Sequence, residues 1–339
     1  MPKKSIRTPS ENEILKFLLK QHSKADVGVK RGIGDDAAVL SPGKSGEYRL
    51  VTTDMLVEDI DFRLEWSSPL HLGRKSLAVN FSDIAAMGGQ PRFYTVSLGL
   101  PQGLSRNWIT EFYRGLTQQG LSYGASLIGG DLSSTTGKIV ISITVLGESV
   151  GRKVLYRSGG REGDILYVTG ILGRSAAGLK ILEGGHLHPK SRMRLQAIQS
   201  HLQPEPRCEA GKWLAHCGYV RCMMDLSDGL SADLPRLCAA SGISAEVDIS
   251  ILPLFNQAAD WGMNPVDLAL HGGEDFELLF AVKKSKSSIF EKTYPENLTP
   301  VARIGKMIHG KGTVWVYDEK GKRRRLENKG YDHFNGTIQ

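Results

Sequence analysis

Six short segments of this chain put carboxylates where a fold tolerates them least. Gly34-Asp35-Asp36, Thr52-Thr53-Asp54, Asn80-Phe81-Ser82-Asp83, Gly129-Gly130-Asp131, Asp225-Leu226-Ser227-Asp228-Gly229 and Gly272-Gly273-Glu274-Asp275 set acids at the ends of predicted strands or on an otherwise apolar helix. A carboxylate bordering apolar sequence is costly to bury without a positive partner, and Lys and Arg are scarce within these segments. Hard divalent cations answer that charge, because Mg2+ takes carboxylates, hydroxyls, waters and phosphate oxygens. His and Cys are absent from the six segments, which argues against zinc or copper. Any one Asp-Gly pair reads equally well as a turn signal, and any one Asp as a helix cap. Six together do not, and Asp83 falls inside a helix.

The 339 residues suggest two domains at roughly 150 residues each, divided here as 1–150 and 151–339. Ser10-Glu11-Asn12-Glu13 reads as a capping box opening a first helix. Strands follow at Arg49 to Met55, Arg92 to Leu100 and Lys138 to Gly147, with helices over Leu70 to Met87 and around Trp108 to Leu116. Ser76, Asn80 and Asp83 share one face of the first of these two helices. In the second half, strands are expected at Ile165 to Val168, Tyr219 to Leu226, Glu277 to Val282 and Thr313 to Tyr317. Helices are expected at Ser175 to Leu182 and Asp233 to Ala240, and Gly184 to Arg207 reads as partly helical surface. The mixture defines an α/β or α+β architecture.

Composition removes several classes. With 40% hydrophobic and 23% charged residues the chain is no disordered protein. No apolar run approaches the roughly 20 residues of a bilayer span, and no apolar stretch follows the basic start as a secretory signal requires. Cys208, Cys217, Cys222 and Cys238 lack the CxxC spacing of a zinc site, so a reduced cytoplasmic chain is expected. His186, His188 and His201 read as surface histidines, and Lys320 to Arg325 as a solvated hairpin edge. Nucleotide loops of known pattern are missing. Pro42-Gly43-Lys44-Ser45 has Ala38 at the earlier glycine of a Walker A motif, and Gly170 to Gly173 lacks the dinucleotide spacing. Gly129-Gly130-Asp131 and Arg157-Ser158-Gly159-Gly160 remain as places where backbone amides approach a phosphate.

GIGDDAAVL, VTTDMLVEDIDF, KSLAVNFSDIAAMGG, GGD, YRSGGREGD, MDLSDGL, LHGGEDFELLF and GYDHF occur in this order between about residue 10 and residue 335. On these motifs the sequence resembles the thiamine-monophosphate kinases, within the wider superfamily of aminoimidazole ribonucleotide synthetase. The N-terminal reactive Cys or selenocysteine of selenophosphate synthetases is missing, and so is the C-terminal cysteine of the hydrogenase-maturation relatives. The resemblance implies a two-domain aminoimidazole ribonucleotide synthetase-like fold whose N-terminal domains pair in a homodimer. It implies ATP-dependent phosphorylation of thiamine monophosphate to thiamine diphosphate, the last step in making that cofactor, with ATP as co-substrate and several Mg2+ ions. Asp35, Thr52, Thr53, Asp54, Asp83, Asp131, Asp225 and Asp228 would hold the metals. Gly130, Asp131, Arg157 and Ser227 would touch ATP. Asp61, Glu274 and Tyr331 would contact the thiamine moiety. Asp61 stands where many members carry His, and Leu132 where Thr is common after GGD.

The chemistry implied needs no catalytic side chain. A phosphate monoester with a second pKa near 6 is largely a dianion at neutral pH, so a general base has nothing to remove. The barrier is two polyanions brought together, and alignment with charge neutralisation lowers it. Direct in-line transfer without a phospho-enzyme is therefore expected. The net charge of +7 fits an anionic clientele as well as it fits nucleic acid. Setting aside the acids of the six segments leaves a body more basic still, suited to drawing in ATP and a phosphorylated vitamin.

Overall fold

A helix buried on nearly every side must be packed on nearly every side, and α2, whose buried residues run from Leu72 to Ala86, organises the molecule for that reason. The computed structural model describes residues 9, 11–22, 27–43, 46–186, 191–318, 320–331 and 333. Ser10 of the expected capping box, Lys44, Ser45, His188, Glu319, Asp332 and Phe334 lie outside the described residues.

In the first half, α1 (Glu11–Gln21) precedes β1 (Val29–Arg31), β2 (Ala38–Leu40) and β3 (Arg49–Val57). Then come α2 (Pro69–Ala86), β4 (Gly89–Pro101), α3 (Arg106–Ser122), β5 (Ser126–Thr135) and β6 (Val140–Ser149). The strands form one sheet in the order β1-β2-β3-β6-β4-β5, antiparallel except where β5 runs beside β4. The second half contributes β7 (Ile165–Thr169), α4 (Arg174–Glu183), α5 (Arg192–Leu202), α6 (Cys208–His216) and β8 (Val220–Asp225). It continues with α7 (Leu230–Ser241), β9 (Ser244–Asp248), α8 (Pro265–His271), β10 (Leu278–Val282), α9 (Ser287–Thr293), β11 (Val301–Ile308), β12 (Val314–Tyr317) and β13 (Arg323–Arg325). Its seven strands order as β13-β12-β9-β11-β7-β10-β8, with only β9 and β12 parallel.

Ser68 caps α2, its hydroxyl accepting the His71 amide at 3.3 Å, and Pro69 takes the first helical turn. One hydrophobic cluster runs from Leu50, Ile143, Leu77 and Phe81 through Cys208 and Leu214 to Met223 and Phe280. The helix thus sits between the first sheet and α6 and β8 of the second half. Its approach to α3 is close enough that a Cβ on Gly73 would fall 2.1 Å from the Phe112 carbonyl oxygen, and one on Gly115 2.0 Å from that of Leu70. Among the described residues no helix is long and apolar enough to cross a membrane.

Two sequence expectations change. Gly129-Gly130-Asp131 is no phosphate turn at a strand end but the interior of β5. Gly-Gly carries no strand propensity of its own, and pairing with β4 imposes the conformation. A Cβ on Gly130 would lie 1.9 Å from the Val96 carbonyl oxygen, so this glycine lets the edge strand close on its neighbour. The segment expected as partly helical surface holds α5, whose Ala197, Ile198, His201 and Leu202 are buried. Val301 to Ile308 and Ser244 to Asp248 are strands that short or interrupted apolar runs did not announce. β13 pairs at the sheet edge with Arg323, Arg324 and Arg325 exposed, the solvated hairpin expected.

Buried Glu277 joins β10 to the start of α6. Its carboxylate accepts Arg207 Nε and Nη2 at 2.8 Å each and the Thr169 hydroxyl at 2.6 Å. Glu277→Ala leaves the buried Arg207 guanidinium to the largely exposed Glu205 and is expected to lower unfolding stability by about 3 kcal/mol, read from urea unfolding, with Glu277→Gln costing less.

Candidate active site

Alternation along β3 sends Thr52 and Asp54 towards α2 and Thr53 to the opposite face. The Thr52 hydroxyl donates to Asp83 Oδ2 at 2.5 Å, and the Asp54 amide donates to Asn80 Oδ1 at 3.1 Å, which fixes strand and helix against each other. Asp36, in the bend between β1 and β2, and Asp225, at the C-terminal end of β8, approach the same point. Asp36, Asp83 and Asp225 each offer a carboxylate oxygen, all lying within 4.8 Å of one another.

The trio is short of compensating charge. Arg157 donates from Nε and Nη2 to Asp36 Oδ1 at 3.0 and 2.5 Å. Ser82 donates its hydroxyl to Asp225 Oδ2 at 2.7 Å. Asp36 Oδ2 is buried with no hydrogen-bond partner. Burial pushes the Asp36 carboxyl up to about 7, against the pull of Arg157 and with help from Asp225. Burial, then the charges of Asp54, Asp225 and Asp36, push Asp83 well above the carboxylate range. Asp225 is raised by burial against the Ser82 hydrogen bond and Arg157. Asp54 reaches about 6 through burial and the nearby charges of Asp61 and Asp228. An orphaned buried oxygen beside two further carboxylates, with hydroxyls as the remaining donors, is a fitting set for a hard divalent cation.

The two C-terminal acidic segments divide their work. Asp228 is held by the Arg236 guanidinium, which also meets Asp233 at 2.7 Å, while Asp233 accepts the Asp228 amide at 3.0 Å. Glu274 takes a left-handed backbone at φ 63°, its amide donating to the Ser227 carbonyl at 2.7 Å. Its carboxylate meets Lys75 Nζ at 2.8 Å and His201 Nδ1 at 3.0 Å. Asp275 turns away and caps α4, accepting the Gly173 and Ser175 amides at 2.6 and 3.1 Å. Tyr331 lies over the same turn, its amide donating to the Asp228 carbonyl at 3.2 Å and its ring edge-on to His333. Asp61 Oδ2 accepts the Val57 amide at 2.8 Å, and burial raises its pKa.

Of the residues singled out from sequence, the chain brings Thr52, Asp54, Asp83, Asp225 and Asp228 together, with Arg157 beside them, while Ser227 accepts the Glu274 amide through its carbonyl. Asp36, not Asp35, completes the trio. Asp35 instead accepts Arg31 Nε at 2.7 Å and the Arg157 amide at 2.8 Å, bracing the bend that presents Asp36. Thr53 and Asp131 are not brought there within one chain. Thr53 donates to the Ile143 carbonyl on the open sheet face, and Asp131 shares that face through the register Met55–Ser142–Ser97–Asp131. Its strand stands three strand spacings, roughly 14 Å, from β3. Lys75, His201, Arg236 and Asp233 were not singled out by sequence reasoning. A lone Lys in an apolar helix was the available sign of the first; nothing local marks His201.

Residues 34–149 match the model of the AIR synthase related protein N-terminal domain, and residues 161–318 match its C-terminal domain. The chain is 38% identical to the thiamine-monophosphate kinase of Bacillus subtilis, over 92% of this chain and 95% of that one. A solved structure of AaThiL complexed with AMPPCP and TMP superposes with a TM-score of 0.84 at 33% identity, covering 97% of this chain and 100% of that one. The crystal structure of thiamine monophosphate kinase from Aquifex aeolicus gives 0.77 at 32% identity, covering 92% and 97%. With Asp36, Asp83 and Asp225 of three motifs gathered at one point and these relatives matched nearly end to end, the chain belongs to the thiamine-monophosphate kinase family of AIR synthase related proteins.

Proposed function

We propose that this enzyme transfers the γ-phosphoryl group of ATP to thiamine monophosphate, giving ADP and thiamine diphosphate. The convergence of Asp36, Asp83 and Asp225 within 4.8 Å, with one buried oxygen unpartnered, carries this reading in a chain of this family. The three would hold Mg2+ together with Asp54 and Thr52, with Asp228 at the margin. Bound there, the metal supplies charge neutralisation and alignment for the phosphates.

The chain's own groups hold that arrangement ready. Arg157 fixes Asp36, Ser82 orients Asp225, Thr52 orients Asp83, and Arg236 steadies Asp228. Such positioning matters where the reaction depends on geometry rather than on proton removal. Glu274, Asp61 and Tyr331 lie on the side assigned to the thiamine moiety, which offers a cationic thiazolium and a flat pyrimidine for pairing and stacking. ATP meets the cleft through Arg157 and Ser227. The chain divides near residue 150 into an ATP- and Mg2+-binding half and a half that completes the cleft. The enzyme works in the cytoplasm on small anions, with no nucleic-acid partner.

A homodimer formed through the first sheet accounts for Thr53, Gly130 and Asp131. The open face exposes Met55 and Phe93, and β5 exposes Leu127, Ile128 and Leu132, an apolar surface of the kind that marks an association site. Light scattering is expected to give twice the 37.1 kDa chain mass, and the double change Met55→Glu, Phe93→Glu the mass of one chain. A wild-type monomer at micromolar concentration refutes the dimer.

Purified enzyme with ATP, Mg2+ and thiamine monophosphate should yield thiamine diphosphate, and free thiamine should not react. Asp83→Asn is expected to lower kcat by about 100-fold or more, since a ligand and its charge are lost. Mg2+ with a nucleotide should stabilise the wild type by about 2.7 kcal/mol at a hundredfold excess over Kd, and a thermal-shift assay should show that increment missing from Asp83→Asn. Nucleotide stabilisation without turnover would make the protein a sensor instead of a kinase.

A further inference from the structure

Lys75 is 1% exposed on α2, and an ammonium buried so completely needs a partner. Its Nζ lies 2.8 and 3.0 Å from the two carboxylate oxygens of Glu274 and 3.5 Å from the Asp61 carbonyl. His201 of α5, 5% exposed, places Nδ1 3.0 Å from Glu274 Oε2 and 3.3 Å from the Ser175 hydroxyl. A carboxylate only accepts, so Nδ1 carries the hydrogen. Glu274 itself keeps its side chain 28% exposed at the cleft. Two buried groups from different elements thus grip one partly open carboxylate, on a left-handed backbone already tied to Ser227. A strained non-glycine residue over-determined in this way is characteristic of a functional site.

We propose that Lys75 and His201 are positioning residues of the acceptor side, holding the Glu274 carboxylate ionised and aimed for the thiamine ring system. The inference rests on the reading of this cleft as a thiamine monophosphate kinase site. Glu274 is surrounded by Lys75 from α2, His201 from α5 and Asp61 from the turn after β3; Glu183 of α4 acts on His201, and His333 acts on Asp61. Burial alone would raise the Glu274 carboxyl, but Lys75 and His201 outweigh it and hold it at about 2. Burial, with Lys75, keeps His201 below the usual imidazole range, so it serves as a neutral donor. Removing Lys75 leaves burial in command, and the folded carboxyl then takes up its proton at higher pH.

Steady-state kinetics of Lys75→Met across about pH 5 to 8 tests this. The KM for thiamine monophosphate should rise about tenfold with the KM for ATP within about twofold, and kcat/KM for the acceptor should fall further as the pH drops. Wild type should show no such acidic limb from this group, and Lys75→Arg should restore most of the loss. His201→Gln, which keeps a donor, should shift the acceptor KM by less and in the same direction; it stands in if Lys75→Met does not fold. Equal losses for both substrates at every pH, or an unchanged acceptor KM, overturn the assignment. Wild-type turnover is the control: without it the reading of the cleft fails, whereas with it an unchanged variant sinks the role of Lys75 and His201 alone.

Discussion

Three carboxylates from three separate parts of the chain share one small volume with the Arg157 guanidinium. Much of the surrounding structure is a response to that electrostatic load. Asp36 arrives on a bend, Asp83 on a buried helix and Asp225 at a strand end, and among the described residues only Arg157 opposes them at salt-bridge distance. Asp83 Oδ2 and Asp225 Oδ2 receive hydroxyls from Thr52 and Ser82, which orient a carboxylate without neutralising it. Burial first, and repulsion between the carboxylates second, favours protonation, which is the direction in which Asp36, Asp83 and Asp225 are pushed. A divalent cation relieves the same load while leaving the carboxylates charged.

That arrangement survives because α2 is clamped from both sides. Its apolar surface is shared between the first sheet and the second half, so polar groups on it cannot drift. Lys75 reaches Glu274, Ser82 reaches Asp225 and Asp83 reaches Thr52, each across a boundary between elements. The helix therefore carries the Lys75–Glu274 contact and the Asp83 contact with Thr52 on one rod. Packing energy and site geometry are the same contacts seen twice, and a loosening of α2 would disturb both.

The acidic segments were visible in the sequence because charge beside apolar residues is a local contradiction that composition alone does not hide. Their division of labour was not visible. In Gly272-Gly273-Glu274-Asp275 and the Glu277 that follows, three acids meet three unrelated partners: Lys75 with His201, the N-terminus of α4, and Arg207. The scarcity of basic residues within these segments pointed to metal compensation throughout. For Glu274 and Glu277 the compensating cations are protein side chains far away in sequence, and Asp228 meets Arg236. Asp35 and Asp36 are adjacent, yet one braces the bend and the other enters the cluster, a choice made by the direction of the bend alone. Thr53 and Asp131 leave the cluster because strand alternation turns them to the other face.

The sequence by itself determined which chemistry this chain is suited to. Motif order and residue type are local properties, and they marked the acidic segments, the two-part architecture and the family resemblance. Only the tertiary structure decided which carboxylate meets which cation, because those partners are separated by up to 199 residues and come together through the packing of α2 and the register of the strands. His201 shows the limit most plainly. Nothing in its neighbours distinguishes it from a surface histidine, and burial against Glu274 gives it a different role.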